Sequence, residues 1–164
     1  MLLKTAIKKL EESKEFKEFI KENKNHYLAH AFTIIDKIQQ NWQIGYYGKE
    51  TDKVVVFEVG KNISRFPEEE VFKKPEHKVK PLNLKKIKLT LEEALNIAEK
   101  LVSEKYSYET INKTIVIVQN LETEMYNLTL VTQTLHIINI KIDAHTGTIL
   151  KEFRQSVMGL NRDN

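Results

Sequence analysis

The chain has 164 residues, 41% of them hydrophobic and 30% charged, with a formal net charge of +3, which suits one domain or two small ones with a buried core and a heavily ionised surface. The absence of cysteine excludes disulfides, thiolate metal sites, iron–sulfur clusters and a cysteine nucleophile. No stretch approaches the roughly 18 consecutive apolar residues of a membrane span, and the N-terminal "MLLKTAIKKLEESKEFKEF" reads as an amphipathic helix and not a signal peptide, so the expected location is cytoplasmic.

Residues 3–24 carry a helical pattern: Leu3, Ala6, Ile7 and Leu10, then Phe16, Phe19 and Ile20. The irregular step from 10 to 16 and the capping potential of Ser13 predict a kink or break near 12–14. From Tyr27 the period changes. "YLAHAFTIID" reads as a strand, "KIQQN" as a turn, and "WQIGYYG" and "VVVFEVG" as two further strands joined through "KETDK".

Residues 61–88 hold Pro67, Pro75 and Pro81, and 9 Lys and Arg against 4 acids, whereas residues 1–60 carry 10 against 9 and 89–164 carry 7 against 10. This segment is expected to be a linker lying on the surface through Phe66, Val71 and Phe72, with Glu68–Glu70 starting one helical turn. Its lysines are not interleaved with aromatics and no nucleic-acid motif is present, so nucleic acid is not an expected partner. Thr90 and Glu93 then form a capping box, followed by an apolar face of Leu91, Ala94, Leu95, Ala98, Leu101 and Val102. Strands are expected at "TIVIVQN", "YNLTLVTQ", "HIINIKID" and "GTILKEF", with 158–164 a loose tail.

Both halves thus read helix, strand, strand, strand. A shift of 84 residues places "WQIGYYG" on "YNLTLVT", and "VVVFEV" is matched to "IINIKI", which raises a structural tandem repeat or, alternatively, two unrelated segments of similar rhythm. The predicted fold is α+β: two helix-plus-antiparallel-sheet units over 1–60 and 89–157, each helix laying one apolar stripe on one apolar sheet face.

"LTLEEALNIAEKL", "YNLTLVT" and "INIKIDAHTGTIL" together resemble a PepSY domain over residues 89–153. The matching positions are Leu91, Glu92, Glu93, Ala94, Leu95 and Ala98 in the helix, and Ile142, Asp143, Ala144, Thr146, Gly147, Ile149 and Leu150 in the terminal hairpin. The resemblance implies a PepSY/cystatin-like architecture and a modulatory partner of peptidases. The family is mostly extracytoplasmic and often attached to a peptidase; this sequence shows neither an export signal nor a peptidase domain, so a target would be bound in trans.

The clustered "DAHTG" needs no chemistry. Asp143 can accept backbone N–H bonds two residues on, and Gly147 supplies a positive φ. His145 is then a solvated tip. His26 and His30 have the i, i+4 spacing of a helical metal pair, but Tyr27 stands where a zincin needs its glutamate, and on a strand the rings lie about 13 Å apart. No serine has a nucleophile-elbow setting, and five glycines form no phosphate loop. No catalytic residue, cofactor or metal is predicted.

Two groups remain as a partner or ligand surface. Alternation puts Trp42, Ile44 and Tyr46 on one side of a strand and Tyr47 on the other; either these aromatics pack under the first helix, or at least one tyrosine reaches an open face. Asn127, Thr129, Asn139 and Lys141 lie opposite the apolar residues of their strands. An open polar face with exposed edges suits binding of another chain by strand addition. The expected function is a non-enzymatic binding or regulatory module acting on a protein partner, with self-association compatible. The alternative is a small-molecule binder or small enzyme with a pocket between helix and sheet.

Overall fold

A computed structural model describes residues 1–71 and 78–160. The first amphipathic segment is two helices, α1 (Leu3–Glu12) and α2 (Lys14–Glu22). They break at Ser13, whose hydroxyl accepts the Phe16 amide at 3.1 Å. A capped second helix is the expected outcome of a serine between two apolar stripes out of phase with each other.

The strands follow as β1 (Tyr27–Asp36), β2 (Ile38–Gln39), β3 (Trp42–Gly48), β4 (Lys53–Val59), β5 (Ile63–Arg65) and β6 (Glu69–Glu70). After a 3-10 turn at Leu84–Lys86 comes α3 (Leu91–Lys105), opened by the predicted capping box: the Thr90 hydroxyl accepts the Glu93 amide at 3.2 Å, and the Glu93 carboxylate accepts the Thr90 amide at 2.9 Å. The chain ends in β7 (Ile111–Asn120), β8 (Glu124–Thr132), β9 (His136–Asp143), β10 (Ile149–Ser156) and a short helix α4 (Val157–Leu160).

All the strands join one antiparallel sheet in the order β10-β9-β8-β7-β1-β3-β4-β5, with β2 beside β1 and β6 beside β4. The fold is α+β, and the expectation of one sheet per unit is corrected: β1 pairs with β7 from His30↔Gln119 to Ile35↔Thr114, so the halves share a sheet. They also share a core, in which Ile7, Leu10, Phe19, Trp42, Ile44 and Phe57 belong to the same cluster as Ala94, Ala98, Leu128, Ile138 and Ile140. The reason is physical. β1 and β7 are strands of ten residues, and pairing them removes two long unprotected edges at once.

The linker reading of 61–88 is corrected as well. Ile63–Arg65 and Glu69–Glu70 add strands to β4, so Glu69 and Glu70 are extended and not helical. Leu82 and Ile87 are core residues. The expected contact through Phe72 lies outside the described residues, as do Pro75, His77 and the tail beyond Leu160; of the expected tail, residues 158–160 fall in a helical turn.

The "DAHTG" segment is the turn its composition predicts. Asp143 Oδ1 accepts the amides of His145 (2.8 Å) and Thr146 (3.0 Å), and Gly147 sits at φ +78°. Burial alone would raise the Asp143 pKa, but those two amides outweigh it and hold the carboxyl below its ordinary value. Ala144, fully buried, offers its carbonyl to the Lys88 and Leu89 amides and so docks the turn under the start of α3.

Candidate functional site

One face of the sheet is covered by α1, α2 and α3; the other is open. On the open face a cleft of about 1050 Å³ runs over β1, β3, β4 and β7. Its floor comes from Ala29, His30 and Phe32 of β1, Gln43 and Tyr47 of β3, Val54 and Val56 of β4, and Ile117 and Gln119 of β7. Glu69–Val71 and Lys78–Lys80 wall it on one side, and the β7–β8 turn on another.

His30 enters this cleft through two local features. A bulge in β1 between Leu28 and His30 breaks the alternation, so that Ala29 and His30 both line the floor. Across the strand pair stands Gly45, and a Cβ there would lie 2.1 Å from His30 Cε1. Only glycine leaves room for the ring. Burial pushes the His30 pKa below its ordinary value, so the imidazole is held neutral, with one nitrogen a donor and the other an acceptor. Neither ring nitrogen, nor the side-chain amides of Gln43 and Gln119, bonds to any described residue.

Two tyrosines fix the neighbouring wall. Tyr47 donates a short bond to Asp52, which, with burial, pushes its phenol up to about 12. Tyr27 stacks edge-on against it at 5.6 Å and donates to the Val79 carbonyl at 2.5 Å, tying the segment after residue 77 to the cleft. Both phenols are neutral donors at ordinary pH.

Beside the cleft, the four polar residues expected on this face are brought together. The Asn139 amide nitrogen donates to Asn127 Oδ1 (2.7 Å), the Leu128 carbonyl (3.1 Å) and Thr129 Oγ1 (3.2 Å), and Lys141 Nζ donates to Asn139 Oδ1 at 3.1 Å. Burial and the neighbouring Lys151 lower the Lys141 pKa. The face is less polar than its sequence implied, because β1 and β7 contribute Phe32, Ile34, Ile115 and Ile117 to it, all half-buried.

Trp42 and Tyr46 are removed from the candidate surface. They are 1% and 3% exposed, on the helix side of β3, where Tyr46 packs 4.9 Å from Phe16. Packing under the first helices is thus their role, and Tyr47 alone of the three faces the cleft. A second, smaller cleft of about 540 Å³ opens on the helix side, between the starts of α1 and α3, with Leu3, Trp42, Ile87, Leu91, Leu95 and Tyr126 on its walls. Here Trp42 Nε1 donates to the Met1 carbonyl at 2.9 Å and Tyr126 Oη to the Leu89 carbonyl at 2.7 Å. His26 and His30 stand on opposite faces, since His26 packs edge-on against core residue Phe19 at 5.3 Å.

The fold has a relative among solved structures. A "putative lipoprotein" from Clostridium difficile 630 superposes with a TM-score of 0.54 at 16% identity, over 86% of this chain and 90% of its own. At that identity the likeness is one of fold alone. No family model and no curated protein matches the sequence. No helix among the described residues is long and apolar enough to cross a membrane.

His30, Phe32, Gln43 and Gln119 were not singled out from sequence as a surface. Gln43 was within reach, since strict alternation places it on the same side as Tyr47. His30 was not, because the bulge that turns it inward leaves no local signature.

Proposed function

We propose that the protein is a non-enzymatic binding module that takes an extended segment of a protein partner in the open-face cleft. The observation that carries this is the combination of an apolar floor (Phe32, Val54, Val56, Ile117) with polar side chains on His30, Gln43 and Gln119 that bond to no other described residue. An extended peptide presents what such a surface lacks: backbone N–H and C=O groups for the amides and imidazole, and alternate side chains for the apolar walls. The resemblance of residues 89–153 to PepSY domains suggests a peptidase as the partner.

A tandem origin of the two halves belongs to the same proposal. Outward from the β1–β7 junction, each half lays down its strands in chain order, β1-β3-β4-β5 and β7-β8-β9-β10. A shift of 84 sets core residues Trp42, Ile44 and Tyr46 on Tyr126, Leu128 and Leu130, while Val55, Phe57 and Val59 coincide with Ile138, Ile140 and Ile142 at a shift of 83. On this proposal one residue was gained or lost between these strands.

The test is peptide selection from a display library against the whole protein, followed by NMR mapping of the selected peptides. Perturbations centred on His30, Gln43 and Gln119, abolished by Ile117→Lys, are expected. Selected peptides that map to the helix side, or that still bind Ile117→Lys unchanged, would defeat the reading. A second reading rests on the helix-side cleft, whose walls are largely apolar and include Trp42: it fits a small apolar ligand. Trp42 is the chain's single tryptophan, so its fluorescence reports directly on occupancy there.

A further inference from the structure

We infer that two copies of this chain associate through the β10 edges, forming one continuous sheet about a two-fold axis at Phe153. This does not depend on what the cleft binds. β10 is eight residues long and closes the sheet, and no described residue pairs with its outer edge. An unpaired edge of this length is a template for another strand.

Edges are ordinarily guarded by charge, but much of the charge on β10 is already neutralised from within. Glu152 pairs with Lys105 and accepts the Tyr106 hydroxyl at 2.7 Å; Arg154 pairs with the buried Glu109 at 3.1 Å. Apolar side chains also gather here. Of the nine large hydrophobics exposed among the described residues, Ile149, Leu150 and Met158 lie on or just after β10. Tyr108 stacks under Arg154, and the Leu135 carbonyl bonds the Val157 amide, so two more flank the strand.

The sequence of β10 selects the occupant. In a two-fold antiparallel pairing each symmetric register sets one residue opposite its own copy. Centring on Lys151, Glu152 or Arg154 opposes like charges, which is destabilising. Centring on Phe153 sets Glu152 opposite Arg154 twice, Lys151 opposite Gln155 and Phe153 against Phe153. It also carries the Val157–Met158 end of each strand to the exposed Ile149 of the other. Among the registers centred on residues 151 to 154, charge and apolar ends agree on that one. Because the axis is perpendicular to the sheet, both open faces point the same way and both clefts stay free.

Sedimentation equilibrium of the whole protein from about 1 to 100 µM decides the matter. A monomer–dimer equilibrium is expected, and Phe153→Lys, which opposes two ammonium groups at the axis of a half-exposed position, is expected to weaken dimerisation at least tenfold with an unchanged circular dichroism spectrum. The chain has no cysteine, so single cysteines report register. Phe153→Cys is expected to oxidise to a disulfide-linked dimer, while Ser64→Cys on the opposite edge stays monomeric under the same conditions. A wild-type protein that is monomeric at 100 µM, including one whose β10 edge proves to bind another protein's strand instead, overturns the proposal. So does a dimer indifferent to Phe153→Lys.

Discussion

Replacing Gly45 with alanine tests the construction of the cleft at its tightest point. The added Cβ would stand 2.1, 2.5 and 2.7 Å from three atoms of the His30 ring, well inside any tolerable contact, so the ring must move. The ring is the end of a side chain with two torsions and has an open cleft above it. It can therefore swing outward, and the cost should fall in the lower part of the ~1–3 kcal/mol range for overpacking. Against this stands the benefit of alanine over glycine in a strand, about 0.4–1 kcal/mol through the unfolded chain, because Gly45 has no positive φ to preserve. The net expectation is a loss of about 0.5–1 kcal/mol.

In a His30→Ala background the obstacle is gone and only the benefit remains. Gly45→Ala should then stabilise by about 0.4–1 kcal/mol, a reversal of sign. Urea denaturation of the four proteins of the cycle measures the coupling, expected at about 1–2 kcal/mol, and melting temperatures should follow at about 2–4 °C per kcal/mol for a chain of this size. A second readout is the His30 titration by NMR: a ring pushed out of its buried position should regain a pKa nearer the ordinary value. Equal effects of Gly45→Ala in both backgrounds would refute the reasoning, because they would show that the ring does not depend on the missing Cβ.

Burial lowers the His30 pKa in the folded protein, so the unfolded chain binds the proton more readily and stability falls as pH drops below about 6.5, continuing until the folded-state pKa is passed; His30→Gln should flatten that part of the stability–pH profile measured by urea melts. Asn139→Ala strips partners from Asn127, Thr129 and Lys141 together, and a loss of about 1–3 kcal/mol is expected by chemical denaturation, with cleft binding retained. Gly147→Ala should cost about 1 kcal/mol or more by the same measurement, since its φ is +78° and its Cβ would meet Ile97 Cδ1 at 3.2 Å. Gly147→Asn, a residue that tolerates that conformation, should recover part of the loss.

What the sequence revealed and what it hid divide along chain distance. The α3 capping box, the break at Ser13, the helix-facing row Trp42–Ile44–Tyr46 and the Asp143–Gly147 turn are each set by residues within about four positions of one another, and each is in place. The gathering of Asn127, Thr129, Asn139 and Lys141 follows from alternation in two neighbouring strands. The strand at Glu69–Glu70 could not be foreseen, because its partners Lys53 and Val54 lie across a long loop, and three consecutive glutamates have no strand propensity of their own. The same holds for β1 beside β7, whose partners lie more than 75 residues apart. The long strands announced themselves; their neighbours did not. Polarity misled in one respect: Asn139 reads as part of an open binding surface, yet its amide is engaged within the sheet by Asn127, Leu128, Thr129 and Lys141.

The β1–β7 junction also decides where the site can exist. Phe32, Gln43, Tyr47 and Val56 come from the first half, and Ile117, Gln119 and Asn120 from the second. Neither half alone encloses the cleft, and the pairing Phe32↔Ile117 at its floor is one of the contacts that join them. Anything bound there therefore favours the joined sheet over any state in which the halves have parted, by RT ln(1 + [L]/Kd). That gain is about 2.7 kcal/mol at a hundredfold excess over Kd, comparable to what burying one large core side chain supplies. A partner seated in the cleft would act as a clasp across the two halves, and hydrogen exchange at the β1 and β7 amides should slow on binding more than at β9, which pairs only within the second half.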